Sequence, residues 1–103
     1  MKQINFKQNQ VKGILRIIGK DLFFKFNDSQ YAQNMIFQMQ QNGAIINISR
    51  TWVRVNIFGD NEYIKLGENE FNVKETSIEE IEQILCDFYA QKYKEAKFEV
   101  EIV

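Results

Sequence analysis

Hydrophobic and polar residues alternate with a period of two over several short stretches of this chain, which is the pattern of strands with one buried face. The segments VKGILRII (11–18) and DLFFKF (21–26) are separated by Gly19-Lys20. A glycine at the first position of a two-residue loop is typical of a type II′ hairpin turn, so we predict that these two segments form a hairpin. Gly13 lies inside the first segment, where it indicates a bulge.

More strands are predicted in the remainder of the chain, because further short segments are apolar and β-branched and are separated by turn-forming residues. They are AIINIS (44–49), TWVRVNIF (51–58), EYIKL (62–66), FNV (71–73) and KFEVEIV (97–103). In the last of them, phenylalanine, valine and isoleucine alternate with two glutamates, which predicts one inward and one outward side.

A first helix is predicted over the segment SQYAQNMIFQMQQN, with Asp28 or Ser29 as its N-cap and Gly43 at its end. Its apolar residues recur at helical spacing: Ala32, Met35, Ile36 and Met39. The other side is rich in glutamine and asparagine instead of charge. This composition suits contact with another protein, and it is equally the result of an AT-rich codon bias.

A second helix is predicted from about residue 77 to 94. Thr76 or Ser77 caps it, and a glutamate three residues later completes a capping box. An apolar stripe follows: Ile78, Ile81, Ile84, Leu85 and Phe88. Acidic residues in the first turn and lysines near the end complement the helix dipole.

These elements give the order ββ-α-ββ(β)-α-β. Residues 21–103 alone read β-α-β-β-α-β, the ferredoxin-like order. We therefore predict an α+β protein with an antiparallel-rich sheet and two helices on one face, ferredoxin-like or a similar two-layer sandwich. Residues 1–103 are expected to form a single domain, since 103 residues suffice for one core. The uncovered face of the sheet is left for water, a partner or a ligand.

Composition narrows the chemistry. The chain has no histidine, which removes the commonest general base near neutral pH, and one cysteine, which rules out an intramolecular disulfide. Cys86 is interpreted as a small core or boundary residue and not as a nucleophile. Acid pairs such as Asp60 with Glu62 are interpreted as solvated turn or edge charges. No phosphate-binding loop or zinc spacing occurs. We expect no enzyme activity, no metal and no cofactor, and a cytoplasmic protein without a signal peptide or membrane span.

The net charge of −1 conceals an uneven distribution. Residues 1–58 carry eight Lys or Arg and two acids, whereas residues 59–103 carry five Lys and twelve acids. A basic binding face is one interpretation of such a split. Alternatively, the two halves attract each other within one fold or across a dimer.

The segment TWVRVNIF places Trp52, Arg54, Asn56 and Phe58 on one side of a predicted strand and aliphatic residues on the other. Aromatic residues and arginine are enriched at the centres of protein interfaces. The acidic strand at 97–103 offers a second way to bind, through a basic partner. The candidate partner-binding residues are Trp52, Arg54, Asn56, Phe58, Arg50, Glu99 and Glu101.

The expected function is therefore protein binding, as in an inhibitor or immunity protein that covers a toxin or effector enzyme, or self-association as a homodimer. The alternative is single-stranded RNA binding through a basic, aromatic sheet face. The isoelectric point near 5.5 and the lack of an RNP1 motif count against RNA. If the acidic residues bind the partner, Glu79 and Glu82 are further candidates.

Overall fold

Eight strands and two helices follow one another along the chain, and the computed structural model describes all of residues 1–103. The strands are β1 (Lys2–Gln8), β2 (Val11–Ile18), β3 (Asp21–Phe26), β4 (Ile45–Ile48), β5 (Val53–Asn56), β6 (Tyr63–Leu66), β7 (Asn69–Asn72) and β8 (Glu99–Ile102). The helices are α1 (Ser29–Gln41) and α2 (Ile78–Glu95). The α+β class predicted from the sequence is confirmed.

Six strands form one sheet in the order β4-β5-β3-β2-β1-β8, and every neighbouring pair is antiparallel. Strand β5 lies between β3 and β4, so the β3–α1–β4 unit is split by a strand from later in the chain, as in the ferredoxin-like order. The β1–β2 hairpin widens the sheet between β3 and β8. Strands β6 and β7 form a separate two-stranded hairpin.

Strand β1 was missed by the sequence analysis, which placed the first strand at Val11. Its inward residues, Ile4 and Phe6, are buried, while glutamine, asparagine and lysine separate them. Asn9 has a φ of 55°, which opens the two-residue turn into β2. Because Asn tolerates this left-handed conformation, the Asn9-Gln10 pair was the feature of the sequence that could have predicted a hairpin turn before β2.

Of the two glycines in β2 and its turn, Gly19 forms the expected turn and Gly13 does not form the expected bulge. Gly19 has a φ of 60°, as the predicted type II′ turn requires. The bulge predicted at Gly13 is wrong, since Gly13 pairs in regular register with Phe6 and Phe26. Its lack of a side chain serves packing instead, because a Cβ at this position would overlap the ring of Phe6.

Both helices cover the same face of the sheet. Helix α2 packs on β1, β2 and β8, and α1 packs on β3 and β4. The two helices meet along a cleft lined by Tyr31 and Met35 of α1 and by Tyr89 and Tyr93 of α2. The core lies between α2 and the sheet, where Phe6 stacks on Tyr93 at 4.0 Å between ring centroids.

The helix caps follow local sequence. Asp28 accepts the N–H of Tyr31 at 2.8 Å and begins α1, and Ser77 accepts the N–H of Glu80 at 3.2 Å and begins α2. These side chains satisfy N–H groups that have no partner inside the helix. Of the alternative caps that the sequence allowed, Ser29 and Thr76 are not used.

Candidate interaction surface

The face of the sheet opposite the helices is uncovered. Alternation along each strand and the antiparallel registers together decide which side chains point there. From one edge to the other they are Glu99 and Glu101 of β8, Gln3, Asn5 and Lys7 of β1, Lys12, Ile14, Arg16 and Ile18 of β2, Asp21, Phe23 and Lys25 of β3, Arg54 and Asn56 of β5, and Ile45 and Asn47 of β4. We call this surface the open face.

Trp52 lies on the open face immediately before β5. Ser49 fixes its backbone: the Ser49 hydroxyl donates to the Trp52 carbonyl at 2.7 Å, and the Trp52 N–H donates to the same hydroxyl oxygen at 3.2 Å. The guanidinium carbon of Arg16 lies 4.8 Å from the Trp52 ring centroid, and Nζ of Lys25 lies 5.8 Å from it. These distances are those of cation–π contacts. The indole is therefore half-buried beneath two cations.

Arg54 lies beside a second aromatic residue on the same face. Its guanidinium is 5.9 Å from the Phe23 ring centroid and donates to the Asp21 carboxylate at 2.9 Å. The register places Phe23 directly between Arg16 and Arg54 on the neighbouring strands. This part of the open face therefore carries two aromatic rings, Phe23 and Trp52, and four cations on β2, β3 and β5, with Asp21 as the one acid there.

Phe58 does not belong to this surface, so its predicted place beside Trp52 is wrong. Strand β5 ends at Asn56, whose Oδ1 accepts the N–H groups of Phe58 at 3.0 Å and Gly59 at 3.3 Å. This turn directs Phe58 into the core, where it is 2% exposed and packs against Phe71. The Asn56 side chain is therefore occupied by the turn.

The other predicted residues lie apart from one another. Arg50 is exposed in the loop between β4 and β5, next to the open face. Glu99 and Glu101 point to the open face from β8. Four strand spacings of ~4.8 Å separate β8 from β5, so the carboxylates lie about 19 Å from the Trp52 end of the sheet. The aromatic and acidic candidates thus share one face but occupy different parts of it.

A chain of hydrogen bonds joins these two parts. Arg16 Nε donates to Gln3 Oε1 at 3.0 Å, and Gln3 Nε2 donates to Asn5 Oδ1 at 3.0 Å. Asn5 Nδ2 then donates to Glu101 Oε1 at 3.2 Å. The chain orients Arg16 over the indole. Gln3 and Asn5 were not predicted because β1 was not predicted, although these polar residues alternate with Ile4 and Phe6 in the sequence.

A groove of about 770 Å³ crosses the open face between β8 and β3. Its polar lining includes Lys7, Lys12 and Lys25 on one side and Glu99 and Glu101 on the other. Lys7 and Lys12 are directly opposite each other across β1 and β2. Like charges in that position destabilise a sheet, and Glu99, which faces Lys7 from β8, offsets part of the repulsion.

Glu82 is not available to a partner, which corrects the hypothesis that included it. Glu82 is only 8% exposed. Its carboxylate accepts a hydrogen bond from the Gly19 N–H at 2.9 Å and forms an ion pair with the amino group of Met1 at 3.2 Å. The hydrogen bond from Gly19 lowers the pKa of Glu82, against the opposing effect of burial. Glu82 therefore ties the β2–β3 turn to α2.

The groups with potential chemistry are otherwise buried or dispersed. Cys86 is 1% exposed, and burial raises the pKa of its thiol, so its assignment to the core is confirmed. No group of three or more His, Cys, Asp or Glu side chains is placed to hold a metal ion. Neither helix combines the length and hydrophobicity that crossing a bilayer requires.

Comparison with known proteins gave no match to a family model, a curated protein or a solved structure.

Proposed function

We propose that this protein is a small non-catalytic binding module of the inhibitor or immunity type, which acts by occupying the surface of a partner protein such as a toxin or effector enzyme. The observation that supports the proposal is the open face, on which Trp52 and Phe23 lie among Arg16, Lys25 and Arg54. Tryptophan and arginine are the residues most enriched at the energetic centres of protein interfaces.

The charges of the open face indicate what the partner presents. The strands around Trp52 carry cations and one neutralised acid, so they suit acidic and apolar groups. Glu99 and Glu101 at the β8 edge suit a basic group about 19 Å away. Such a pattern fixes the orientation of a partner and speeds its association, because potentials of opposite sign meet across the interface.

Substitution of the central residues tests this proposal. Wild-type protein and the Trp52→Ala and Arg54→Ala variants would be immobilised to capture a partner from cells of the source organism, and its affinity would then be measured by calorimetry. We expect each variant to weaken binding at least about tenfold, the effect of losing roughly 1.4 kcal/mol. Tyr63→Ala is the matched control, since Tyr63 is 62% exposed but lies on β6, outside the open face.

Charge reversal at the edge supplies the second arm. Glu99→Lys with Glu101→Lys is expected to slow association and change its salt dependence more than it changes the dissociation rate. If the captured protein binds both alanine variants as tightly as wild type, its contact lies elsewhere and the open face is not the interface.

Single-stranded RNA is the second candidate, supported by Lys7, Lys12 and Lys25 along the groove, of which Lys25 lies 5.8 Å from the Trp52 ring centroid. Cations would hold phosphates while a base stacks on the indole. Trp52 is the only tryptophan, so its fluorescence reports directly on binding. Quenching by an oligonucleotide that is lost at high salt would favour RNA over protein, whereas an unchanged spectrum would eliminate it.

A further inference from the structure

One corner of the molecule carries no charge. Residues 29–49, which comprise α1 and β4, contain no Asp, Glu, Lys or Arg. Helix α1 packs beside β4, and β4 is a free edge of the six-stranded sheet. An edge strand presents unpaired N–H and C=O groups to any strand that approaches it.

This uncharged corner also exposes large apolar side chains. Phe37 of α1 is 60% exposed, and Ile45 and Ile48 of β4 are 48% and 68% exposed. The two isoleucines point to opposite faces of the sheet, since Ile45 pairs with Asn56 of the open face and Ile48 with inward Val53. Apolar contact is therefore available on both sides of the β4 edge.

The opposite edge of the sheet is different. Strand β8 carries Glu99 and Glu101, and charges on an edge strand discourage pairing with another sheet. A second copy approaching β8 would bring like charges together, whereas β4 itself carries no charge, and the nearest cations are Arg54 on the neighbouring strand and Arg50 in the following loop. In an interface with twofold symmetry, the same surface patch of each copy contacts its counterpart on the other copy. A neutral patch can form such an interface without repulsion between like charges.

We propose that two copies of this chain pair antiparallel through β4, about a twofold axis at Asn47, to form a continuous twelve-stranded sheet. Residues two apart share a face, so this register sets Ile46 of one copy opposite Ile48 of the other on the helix-covered side. Ile48 then gains an apolar neighbour. The two Asn47 amides meet on the open face, where each offers a donor and an acceptor.

This dimer is independent of the proposed function. The twofold axis runs perpendicular to the sheet, so both helical layers lie on one side and both open faces on the other. Trp52, Glu99 and Glu101 stay uncovered in each copy. The dimer therefore presents two identical open faces side by side.

The test introduces charge at the axis. Mass would be measured by light scattering and sedimentation up to about 0.1 mM, a range that detects weak association. Wild type is expected to reach the mass of two chains, and its association should depend little on salt, because the paired β4 strands carry no charge. Asn47→Lys places two lysines directly opposite each other and should weaken dimerisation at least about tenfold.

Mixing variants makes the test specific to the register. Asn47→Lys should be monomeric alone. Asn47→Asp should dimerise more weakly than wild type, although Arg54 beside position 47 offsets part of its charge. Mixed together, the two variants should form a dimer, since opposite charges then meet at the axis. Asn47 is exposed, so circular dichroism should show that both variants fold. Tyr63→Lys adds the same charge elsewhere and should dimerise like wild type. A monomeric wild type, an Asn47→Lys variant that still dimerises, or a mixture that stays monomeric would each overturn the proposal.

Discussion

The two helices lie on the same face of the sheet but contribute to it unequally. Seven residues of helix α2 are buried, among them Ile81, Leu85 and Cys86, whereas no residue of α1 is fully buried. Helix α2 is charged along its exposed side, with acids in its first turn and lysines in its last, whereas α1 has no charged residue.

This difference separates two roles. Helix α2 supplies the packing that holds the sheet, because its stripe meets the inward residues of β1, β2 and β8. Helix α1 covers the β3–β4 part of the sheet through half-buried residues such as Tyr31, Met35 and Met39. Its sequence is therefore constrained less by the core, and its surface is freer to serve contact with another molecule.

The largest effect should come from deleting core volume in α2. Leu85→Ala removes a fully buried side chain and should cost about 2–5 kcal/mol of unfolding free energy. Met35→Ala at the half-buried interface of α1 should cost about 1 kcal/mol. Urea denaturation of both variants measures the two values. Equal losses would show that α1 holds the core as strongly as α2.

The next effect concerns Glu82, which joins α2 to the β2–β3 turn. Glu82→Ala removes a charge-assisted hydrogen bond from Gly19 and should cost about 1.5–3 kcal/mol. Glu79→Ala is the control, because Glu79 is exposed on the same helix. A loss as small as that of the control would mean that the turn is held by its own geometry.

The pH dependence of Glu82 follows from the sign of its shift. Its folded pKa is below the ordinary value of 4.5, so the carboxylate stabilises the fold at higher pH. This contribution is lost as pH falls below about 4.5 and through the lowered folded pKa. The unfolding free energies of wild type and Glu82→Gln should therefore differ near pH 7 and become equal in strong acid. Denaturation of both proteins at a series of pH values measures this difference. A constant difference across this range would contradict the assignment.

The two N-caps should contribute equally to stability, although the two helices pack unequally on the core. Asp28→Ala and Ser77→Ala each remove a hydrogen bond to a free backbone N–H, and each should cost about 1 kcal/mol. Thermal unfolding of the two variants gives the comparison. If Ser77→Ala costs several times more than Asp28→Ala, the strength of a cap depends on the core beneath its helix and not on local geometry.

The smallest effect is expected for the exposed aromatic residue of α1. Phe37→Ala should change the unfolding free energy by less than about 0.5 kcal/mol, since Phe37 is 60% exposed. Phe88→Ala on α2 is the matched change and should cost about 1 kcal/mol or more, because Phe88 is half-buried against Tyr89. A large loss at Phe37 under monomeric conditions would reveal a structural role for it.

Local signals predicted much of the fold. The range of α2, its glutamate-rich first turn and the turn at Gly19 were all visible in the sequence, because caps and tight turns depend on neighbouring residues. The end of β5 was not visible: Phe58 continues the alternation of Trp52 and Arg54, and only the turn formed by the Asn56 side chain interrupts it. Periodicity alone overextends a strand in such a case.

The composition of the open face could be predicted only in part. Trp52 and Arg54 were identified because they lie two residues apart. The contact of Arg16 with Trp52 and the hydrogen-bond chain to Glu101 depend on the order of strands in the sheet. Strand β1 pairs with β8 from the other end of the chain, and no local pattern reports which strands become neighbours.

Gly13 has a consequence for sequences that descend from the same ancestor. The Phe6 ring fills the space that a side chain at position 13 would need, so the two positions share one volume. A lineage that gains alanine or valine at position 13 should carry a smaller residue at position 6. Paired variation of this kind would mark the β1–β2 register in an alignment, without any measurement on the protein itself.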